Sequence, residues 1–332
     1  MPATTSPIDL AHETYFIENP YGSVVRCDGE DTKSFLHRMS TQDINSLSDG
    51  EGTLNAYVNQ KGRLIDLTYH LQFDNNTALL LGQHATGTSF IEWLDQFHFI
   101  EKIQFTDLSA ASAGALLFGS HASGIIEKLI SAPVTLAPWQ FIQKGTLLVV
   151  RIFDYHMPNT PQTPCFYVCN ISGTALELHA QLKNLGALEL EKSAEESLRV
   201  FSGIPRVPNE INDALTPLAL ALHDSISWSK GCYIGQEVIA RMDTYDRITK
   251  NLSLFTFEAS APVPVGTHVL SGEKVVGEVT SVSQPQHGPQ QGLAMIKLKE
   301  SELKAGTFHI RLEEESFPAV LLHRPAAQQP HD

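Results

Sequence analysis

The chain has 332 residues, with 23 Lys and Arg against 37 Asp and Glu, so its net charge is −14 with histidine neutral. This length predicts two or three domains, and a hydrophobic fraction of 42% is enough to build their cores, which excludes a disordered chain. The acidic balance disfavours duplex nucleic acid as a main ligand, because phosphate binding needs a basic surface. We therefore expect no direct nucleic-acid partner.

Neither a membrane segment nor a targeting segment is evident. No apolar stretch reaches the roughly 20 residues that cross a bilayer, and the N-terminus, MPATTSPIDLAHETYF, lacks the regions of a secretory or transit peptide. Four cysteines in a chain of this length do not form a disulfide framework. We expect a cytoplasmic protein without a membrane partner.

The first 110 residues alternate strands and helices. Hydrophobic spacing predicts strands at Val24–Asp28, Leu54–Val58, Leu64–Phe73 and Thr77–Leu81, and helices at Thr32–Met39 and Ser89–Phe99. Asp31 is placed to cap the first helix, and Asn59-Gln60-Lys61-Gly62 forms a turn between two strands. This order predicts an α+β domain.

The next 140 residues continue the mixed pattern. Strands are predicted at Ala115–Phe118, Leu147–Tyr155 and Cys165–Ile171, helices at Gly124–Ile130 and Thr174–Leu185, and a proline-rich loop at Met157–Pro164. Ser193-Ala194-Glu195-Glu196 has the pattern of a capping box and starts a short helix, which Gly203-Ile204-Pro205 stops. The region divides into two subdomains, roughly 1–110 and 111–250.

The remainder of the chain is rich in short strands. Six are predicted, with no helix of length between them, at Leu252–Glu258, Thr267–Leu270, Val275–Val282, Gly292–Leu298, Phe308–Leu312 and Phe317–Leu322. Such runs predict a small β-barrel or sandwich over 251–323. Gln284–Gln291 is predicted as a flexible loop and 324–332 as a disordered tail.

The most distinctive segment is the octet Lys230-Gly231-Cys232-Tyr233-Ile234-Gly235-Gln236-Glu237. A helix can begin at Gln236, so Cys232 lies just before a helix and beside Lys230, and both features favour a thiolate. From Lys230 to Lys250 there are four basic and three acidic residues, a local charge of +1. This suits an anionic ligand or a thiolate. The other interpretation is a structural turn that holds an inert cysteine.

The remaining chemistry-bearing residues carry weaker signals. Cys165 and Cys169 lie about 13 Å apart on one strand, too far for a disulfide or a shared metal. No zinc, nucleotide or nucleophile-elbow motif occurs, so no stably bound metal is predicted. The segments Asn59-Gln60-Lys61-Gly62-Arg63 and Gly203-Ile204-Pro205-Arg206 are turns that carry cations. Arg63 and Arg199 can each hold a carboxylate in bidentate fashion, or form an ordinary surface ion pair.

The octet resembles the signature of the YgfZ family, folate-binding proteins similar to the T protein (aminomethyltransferase) of the glycine cleavage system. Further segments agree in order along the chain, from about residue 22 to residue 250: Asp28-Gly29, Phe35-Leu36, Thr41-Gln42-Asp43, Lys61-Gly62-Arg63, Leu198-Arg199, Gly203-Ile204-Pro205, Arg241 and Arg247. The β-rich remainder fits the C-terminal barrel of that family. The resemblance implies a T-protein-like α+β fold with a C-terminal all-β barrel around a central cavity.

The resemblance also implies a ligand and a role. Tetrahydrofolate or a derivative would occupy the cavity, with Tyr57 and Tyr233 stacking on the pterin and with Arg63, Arg199, Lys230 or Arg247 binding the glutamate tail. Gly231, Gly235, Gln236 and Glu237 are expected at the same site as members of the octet. The family is implicated in making or repairing iron–sulfur clusters, with effects on tRNA-modifying enzymes. Cys232 would act there as an iron ligand, a sulfur acceptor or a one-carbon acceptor, and cluster carriers or clients are the expected protein partners.

Two alternatives stay open. A folate-dependent aminomethyl- or methyltransferase would be a T-protein-like enzyme, but Leu80–Leu94, the stretch matched to an acidic residue of T proteins, has no acid before Glu92. The T-protein-like sequence RLEAG is replaced by Arg199-Val200-Phe201-Ser202-Gly203, so a carboxylate is lost there as well. The second alternative is a non-catalytic scaffold for cluster carriers. We therefore do not expect a classical enzyme; if the chain is one, it is a folate-dependent one-carbon transferase.

Overall fold

The computed structural model describes residues 8–18, 20–83, 86–152, 163–171, 175–245, 247–284 and 290–323. Strands and helices alternate as far as residue 244, and strands dominate from residue 251 onwards. The predicted loops at 157–164 and 284–291 lie partly outside the described residues. The predicted disordered tail at 324–332 lies wholly outside them.

The first third of the chain builds a five-stranded antiparallel sheet. In spatial order its strands are β3 (Glu51–Val58), β4 (Leu64–Asp74), β5 (Thr77–Gly82), β2 (Ser23–Asp28) and β6 (Gln104–Asp107). Two helices, α1 (Thr32–Met39) and α2 (Gly87–Asp95), cover one face through an apolar cluster that includes Phe35, Phe90 and Leu94. The predictions for β2 to β5 and for α1 are confirmed.

A second, six-stranded sheet is formed mainly by residues 111–190. In spatial order its strands are β11 (Leu188–Glu189), β1 (Thr14–Glu18), β7 (Ala113–Gly119), β10 (Cys165–Asn170), β9 (Leu147–Arg151) and β8 (Phe141–Lys144). The β1–β11 pair is parallel and the other pairs are antiparallel. Helices α3 (Ala122–Ile130) and α4 (Ala175–Asn184) pack on its outer face.

The two sheets pack against each other through their inner faces. Leu79 and Leu81 of β5 belong to the same apolar cluster as Leu116 and Phe118 of β7. Because side chains alternate between the faces of a strand, their neighbours point outward to the helices. The result is a four-layer arrangement of helices, sheet, sheet and helices.

The remaining elements form a bridging segment and a closed barrel. The bridge contains α5 (Lys192–Phe201), α6 (Gln236–Thr244) and two 3-10 turns at Pro217–Leu220 and His223–Ser225; a further 3-10 turn lies at Ile44–Ser46. The barrel order is β12 (Asn251–Phe257), β15 (Gln291–Ile296), β14 (Lys274–Val282), β13 (His268–Ser271), β16 (Phe308–Leu312) and β17 (Glu315–His323). All six strands were expected, but a six-residue helix, α7 (Glu300–Ala305), was not.

Two local predictions need correction. The side chain of Asp31 makes no cap to α1, because it accepts the backbone N–H of Lys102 at 2.8 Å. The predicted capping box is also wrong: α5 begins after Glu191, without a side-chain cap. The carboxylate of Glu196, which the box would need, binds Arg199 instead.

Candidate functional site

A cleft lies where the two sheets meet α5 and the segment that follows it. Its empty space is about 420 Å³, a figure that includes open solvent at the mouth. Both sheets, α5 and the 204–206 segment contribute to its walls, which consist of Ile17, Pro20, Tyr21, Tyr69, Gln83, Leu116, Glu195, Arg199, Ile204, Pro205 and Arg206. An apolar floor therefore separates an aromatic side from a charged side.

The aromatic side is held rigidly by ring contacts. Tyr21 meets the edges of Tyr69 and Tyr167 with ring centroids 5.3 and 4.9 Å away, and Tyr69 stacks on Trp139 at 5.2 Å. Tyr69 is buried, whereas Tyr21 is half-buried. Burial raises the pKa of the Tyr69 hydroxyl far above its usual value, so this phenol stays neutral. Tyr21 is thus the ring placed to stack on a planar ligand.

Arg199, on the charged side, is committed to neighbouring protein groups. Its Nε and Nη2 donate to the two carboxylate oxygens of Glu196 at 2.9 and 2.5 Å, and its Nη1 donates to the carbonyl of Ile204 at 2.5 Å. Nη1 also lies 3.3 Å from Oε2 of Glu210, which is fully buried and accepts the hydroxyl of Ser281 at 2.7 Å. Because Ser281 belongs to β14, this network joins the cleft wall to the barrel.

Arg206 is the more accessible cation of this wall. Its side chain is 38% exposed, against 4% for Arg199. Its Nη2 is paired with Glu195, whose side chain is 16% exposed, and its Nη1 lies 3.4 Å from Glu196. The carboxylate of Glu195 and the guanidinium of Arg206 therefore form a paired acceptor and donor at the cleft surface.

A buried carboxylate lies directly behind another cleft residue. Asp66, near the start of β4, is fully buried, and its Oδ1 accepts the backbone N–H groups of Leu67 at 2.9 Å and of cleft-lining Gln83 at 3.1 Å. A side chain at Gly82 would lie 2.3 Å from Oδ2 of Asp66, so the glycine permits this approach. Asp66 of β4 thus places a carboxylate beside the stretch from residue 80 to 94.

The octet occupies a different place, against the turn that follows α1. Lys230 is buried, and its ammonium donates to the carbonyls of His37, Ser40 and Gln42 at 2.5, 2.9 and 2.8 Å. Burial lowers the pKa of Lys230 to about 8. The carbonyls lie at and just beyond the C-terminal end of α1, where a cation is favoured by the helix dipole.

The glycines of the octet and of the 59–62 turn pack on one another. Gly235 has a φ of +80°, and a Cβ there would lie 2.5 Å from the carbonyl oxygen of Asn59. Gly62 has a φ of +67°, and a Cβ there would meet Ile239 of α6 at 3.3 Å. Glycine is needed at both positions for the backbone conformation, and at Gly235 also for the contact. The two sequence motifs are therefore one structural unit.

The cysteines differ in accessibility. Cys232 is exposed, whereas Cys27, Cys165 and Cys169 are buried. Burial raises the pKa values of Cys27 and Cys169, which keeps these thiols protonated. Cys232 is thus the cysteine that a partner or solute can reach.

The other predicted site residues are dispersed around the octet. Tyr233 is buried, with the ammonium of Lys230 5.4 Å from its ring centroid, and Arg63 donates to the carbonyl of Ala214 at 2.5 Å. Besides Cys232, the exposed or half-exposed members of the predicted set are Arg63, Gly231, Gly235, Gln236, Glu237 and Arg247. Of all the predicted site residues, Arg199 is the one that lines the cleft.

The structure corrects the roles expected for three of these residues. Tyr57 is fully buried, with its ring 4.9 Å from Phe90 and 5.9 Å from Trp93, so it offers no face to a ligand. Lys230 and Arg199 direct their donors to protein acceptors, as described above. Each of the three therefore contacts other parts of the protein.

Sequence reasoning missed Tyr21, Tyr69, Gln83 and Asp66. Asp66 carried a weak signal, since its carboxylate lies between apolar residues near the start of the strand. The two tyrosines carried none, because an aromatic residue in or near a strand is usually a core residue.

The described part of the chain contains no group of three or more His, Cys, Asp or Glu side chains placed to hold a metal ion. No helix in the described ranges is long and apolar enough to cross a membrane.

The chain is similar to proteins of two kinds. It is 30% identical over 292 residues to a chloroplastic protein of Arabidopsis thaliana that bears the name of a candidate transferase; the match covers 87% of this chain. It is 25% identical over 233 residues to the tRNA-modifying protein YgfZ of Colwellia psychrerythraea, covering 69% of this chain and 68% of that protein. It is 24% identical over 286 residues to an aminomethyltransferase of Bacillus pumilus, covering 84% and 78%. The chain spans 65% of the length of the Arabidopsis relative.

A solved structure confirms the fold. The aminomethyltransferase T of the glycine cleavage system from Bartonella henselae superimposes with a TM-score of 0.81 at 14% identity, covering 96% of this chain and 87% of that one. No protein-family model matches the chain. The T-protein-like fold with a C-terminal barrel, expected from the sequence, is confirmed.

Proposed function

We propose that this chain is a YgfZ-like protein of T-protein-like fold that binds a reduced folate in the cleft and assists iron–sulfur cluster assembly or maintenance. The observation that carries the folate proposal is the cleft itself, with a half-buried tyrosine on one side and a paired carboxylate and guanidinium on the other. A reduced folate has the matching part: a planar pterin whose amino-pyrimidinone edge carries N–H donors and a carbonyl acceptor.

The residues that face the cleft define how such a ligand is held. Tyr21 supplies a ring for the pterin, and the carboxylate of Glu195 accepts N–H groups from its amino-pyrimidinone edge. Arg206, paired with Glu195, holds this carboxylate in place, since Arg199 is committed to Glu196 and Glu210. Glu195 thus supplies the carboxylate that the segment 199–203 lacks.

The binding claim is tested by calorimetric titration with tetrahydrofolate and 5-formyltetrahydrofolate. Replacing Tyr21→Leu removes the stacking ring and should weaken binding about two- to tenfold, since such stacking is worth roughly 0.5–1.5 kcal/mol. Tyr245→Leu, at an exposed tyrosine beyond the octet, is the matched control and should bind as the wild type does. Absence of binding to the wild type would favour a scaffold that carries no folate.

Cys232 carries the cluster-related part of the proposal, because its thiol is exposed and the other three are buried. It acts on the cluster chemistry of a carrier or client, including cluster-dependent tRNA-modifying enzymes, in the cytoplasm. Cys232→Ala should abolish rescue of a cluster-deficient strain, whereas Ser229→Ala, at an exposed position in the same loop, should rescue fully. Full rescue by Cys232→Ala, with partner pull-down preserved, would indicate the scaffold instead.

One observation favours a second function, a folate-dependent one-carbon transferase. The buried carboxylate of Asp66 lies one hydrogen bond from cleft-lining Gln83, so an acid is present beside the cleft. Turnover of an aminomethyl or methylamine donor with tetrahydrofolate, lost in Asp66→Asn but retained in Cys232→Ala, would establish this activity. No turnover by the wild type would favour the role in iron–sulfur cluster assembly or maintenance instead.

A further inference from the structure

The charged wall of the cleft carries more carboxylates than cations. Two arginines line it, Arg199 and Arg206, and they are paired with three carboxylates, those of Glu195, Glu196 and Glu210. Although burial opposes its ionisation, the Arg199 guanidinium lowers the pKa of Glu196, so this carboxylate stays charged. The wall therefore has one negative charge in excess, which disfavours the approach of a further anion.

The donors of Arg199 point into the protein. Its Nε and Nη2 bind both carboxylate oxygens of Glu196, and its Nη1 binds the carbonyl of Ile204 and lies 3.3 Å from Glu210. These contacts occupy four of the five N–H groups of the guanidinium. Because the side chain is only 4% exposed, a ligand carboxylate would have to break one of these bonds to reach it.

Arg206 is more accessible, but it is paired as well. Its Nη2 binds Glu195 and its Nη1 lies 3.4 Å from Glu196. A ligand carboxylate would compete with Glu195 for the guanidinium and would be repelled by both glutamates. Among the described residues no other lysine or arginine lines the cleft, and the internal segments outside the described ranges contain neither residue type. The cleft thus offers an anionic tail no unpaired cation.

The other walls of the cleft suit the flat head of a pterin. Tyr21 and Tyr69 form the aromatic side, and Ile17 and Leu116 contribute to an apolar floor. The carboxylate of Glu195 accepts hydrogen bonds from an edge that carries adjacent N–H groups. Aromatic contact and N–H recognition both act on the ring system of a folate and not on its glutamate.

On the premise of the proposed function, we propose that the cleft recognises the reduced pterin head alone and leaves the glutamate tail in solvent. The ligand class is then the reduced pterins, with or without a p-aminobenzoylglutamate tail, and the number of glutamates does not change the affinity. An unpaired arginine bound to a tail carboxylate would instead strengthen binding about ten- to hundredfold, because hydrogen bonds to charged groups are among the strongest.

A ligand series titrated calorimetrically into the wild-type protein tests the inference. Tetrahydrofolate and its triglutamate should bind within about threefold of each other. The tail-free 6-methyltetrahydropterin should bind within about tenfold of them, since it loses only contacts of the benzoyl ring. A larger difference in either comparison would overturn the inference and leave folate binding standing. Binding of none of the three would overturn the folate proposal itself.

Arg206→Gln provides a second test. If Arg206 only positions Glu195, the variant should weaken tetrahydrofolate and 6-methyltetrahydropterin by the same factor. Weakening of tetrahydrofolate alone would put the tail at Arg206 and overturn the inference. Arg311→Gln, at an exposed ion pair of the barrel, is the matched control and should bind both ligands as the wild type does. The wild-type series gives an answer even if Arg206→Gln does not fold.

Discussion

Replacing Arg199→Met distinguishes a structural arginine from a ligand-binding one. Arg199 is 3% exposed and donates to Glu196, Ile204 and, at 3.3 Å, fully buried Glu210. Removing one partner of a buried charge pair costs about 3–5 kcal/mol, because the other charge is left uncompensated. Glu210 retains the hydroxyl of Ser281 and the N–H of Arg206, so we expect the lower end of that range, about 3 kcal/mol.

Chemical unfolding measures this loss. Arg199→Met should lower the urea midpoint clearly, and the added change Glu210→Gln should restore part of it by neutralising the stranded carboxylate. Arg311→Met is the control, since Arg311 forms an exposed pair with Glu273 and such pairs contribute about 0–1 kcal/mol. An unchanged urea midpoint together with lost tetrahydrofolate binding would refute the structural role and indicate that Arg199 binds the ligand.

Three further outcomes follow from local geometry. Gly235→Ala should lower the free energy of unfolding by more than 1 kcal/mol, measured by urea titration, because the new Cβ would lie 2.5 Å from the Asn59 carbonyl at a φ of +80°. In the folded protein the His70 ring becomes positively charged only below its pKa, which burial lowers to about 4, whereas in the unfolded chain it does so below about 6.5. The wild type should therefore lose up to about 3 kcal/mol as pH falls from 6.5 to 4, and His70→Asn should not. Hydrogen bonds lower the pKa of Glu101 to about 2; the largest effect comes from the backbone N–H of Phe99 and the next from the side chain of Arg38. The ionised Glu101 carboxylate therefore stabilises the folded state above about pH 4.5, and this stabilisation disappears as pH falls toward 2. In acid titrations, Glu101→Gln should lack this part of the wild-type loss in the free energy of unfolding.

Elements with strong periodicity were predictable from the sequence. Helix α1 and the β2, β4 and β5 strands were placed to within a residue, because apolar alternation or helical spacing is strong there. The four-residue strand β6 was missed, since Gln104–Asp107 is mostly exposed and has no apolar face. Such an edge strand is determined by pairing with β2, which is a tertiary contact.

The site was predictable only in part, for a similar reason. The octet signature and the Gly62 turn are local patterns, and the structure brings them together through Gly235. The cleft is formed by residues far apart in the chain, from Ile17 to Arg206, that become neighbours only when the sheets pack. Burial then decides which charged groups remain available, and the sequence does not reveal burial in advance.

A crystal structure with 5-formyltetrahydrofolate tests the central claim most directly. We expect the pterin to lie against the ring of Tyr21, with its amino edge toward Glu195. Density at the octet with an empty cleft, or no ligand at saturating concentration, would contradict the proposed site.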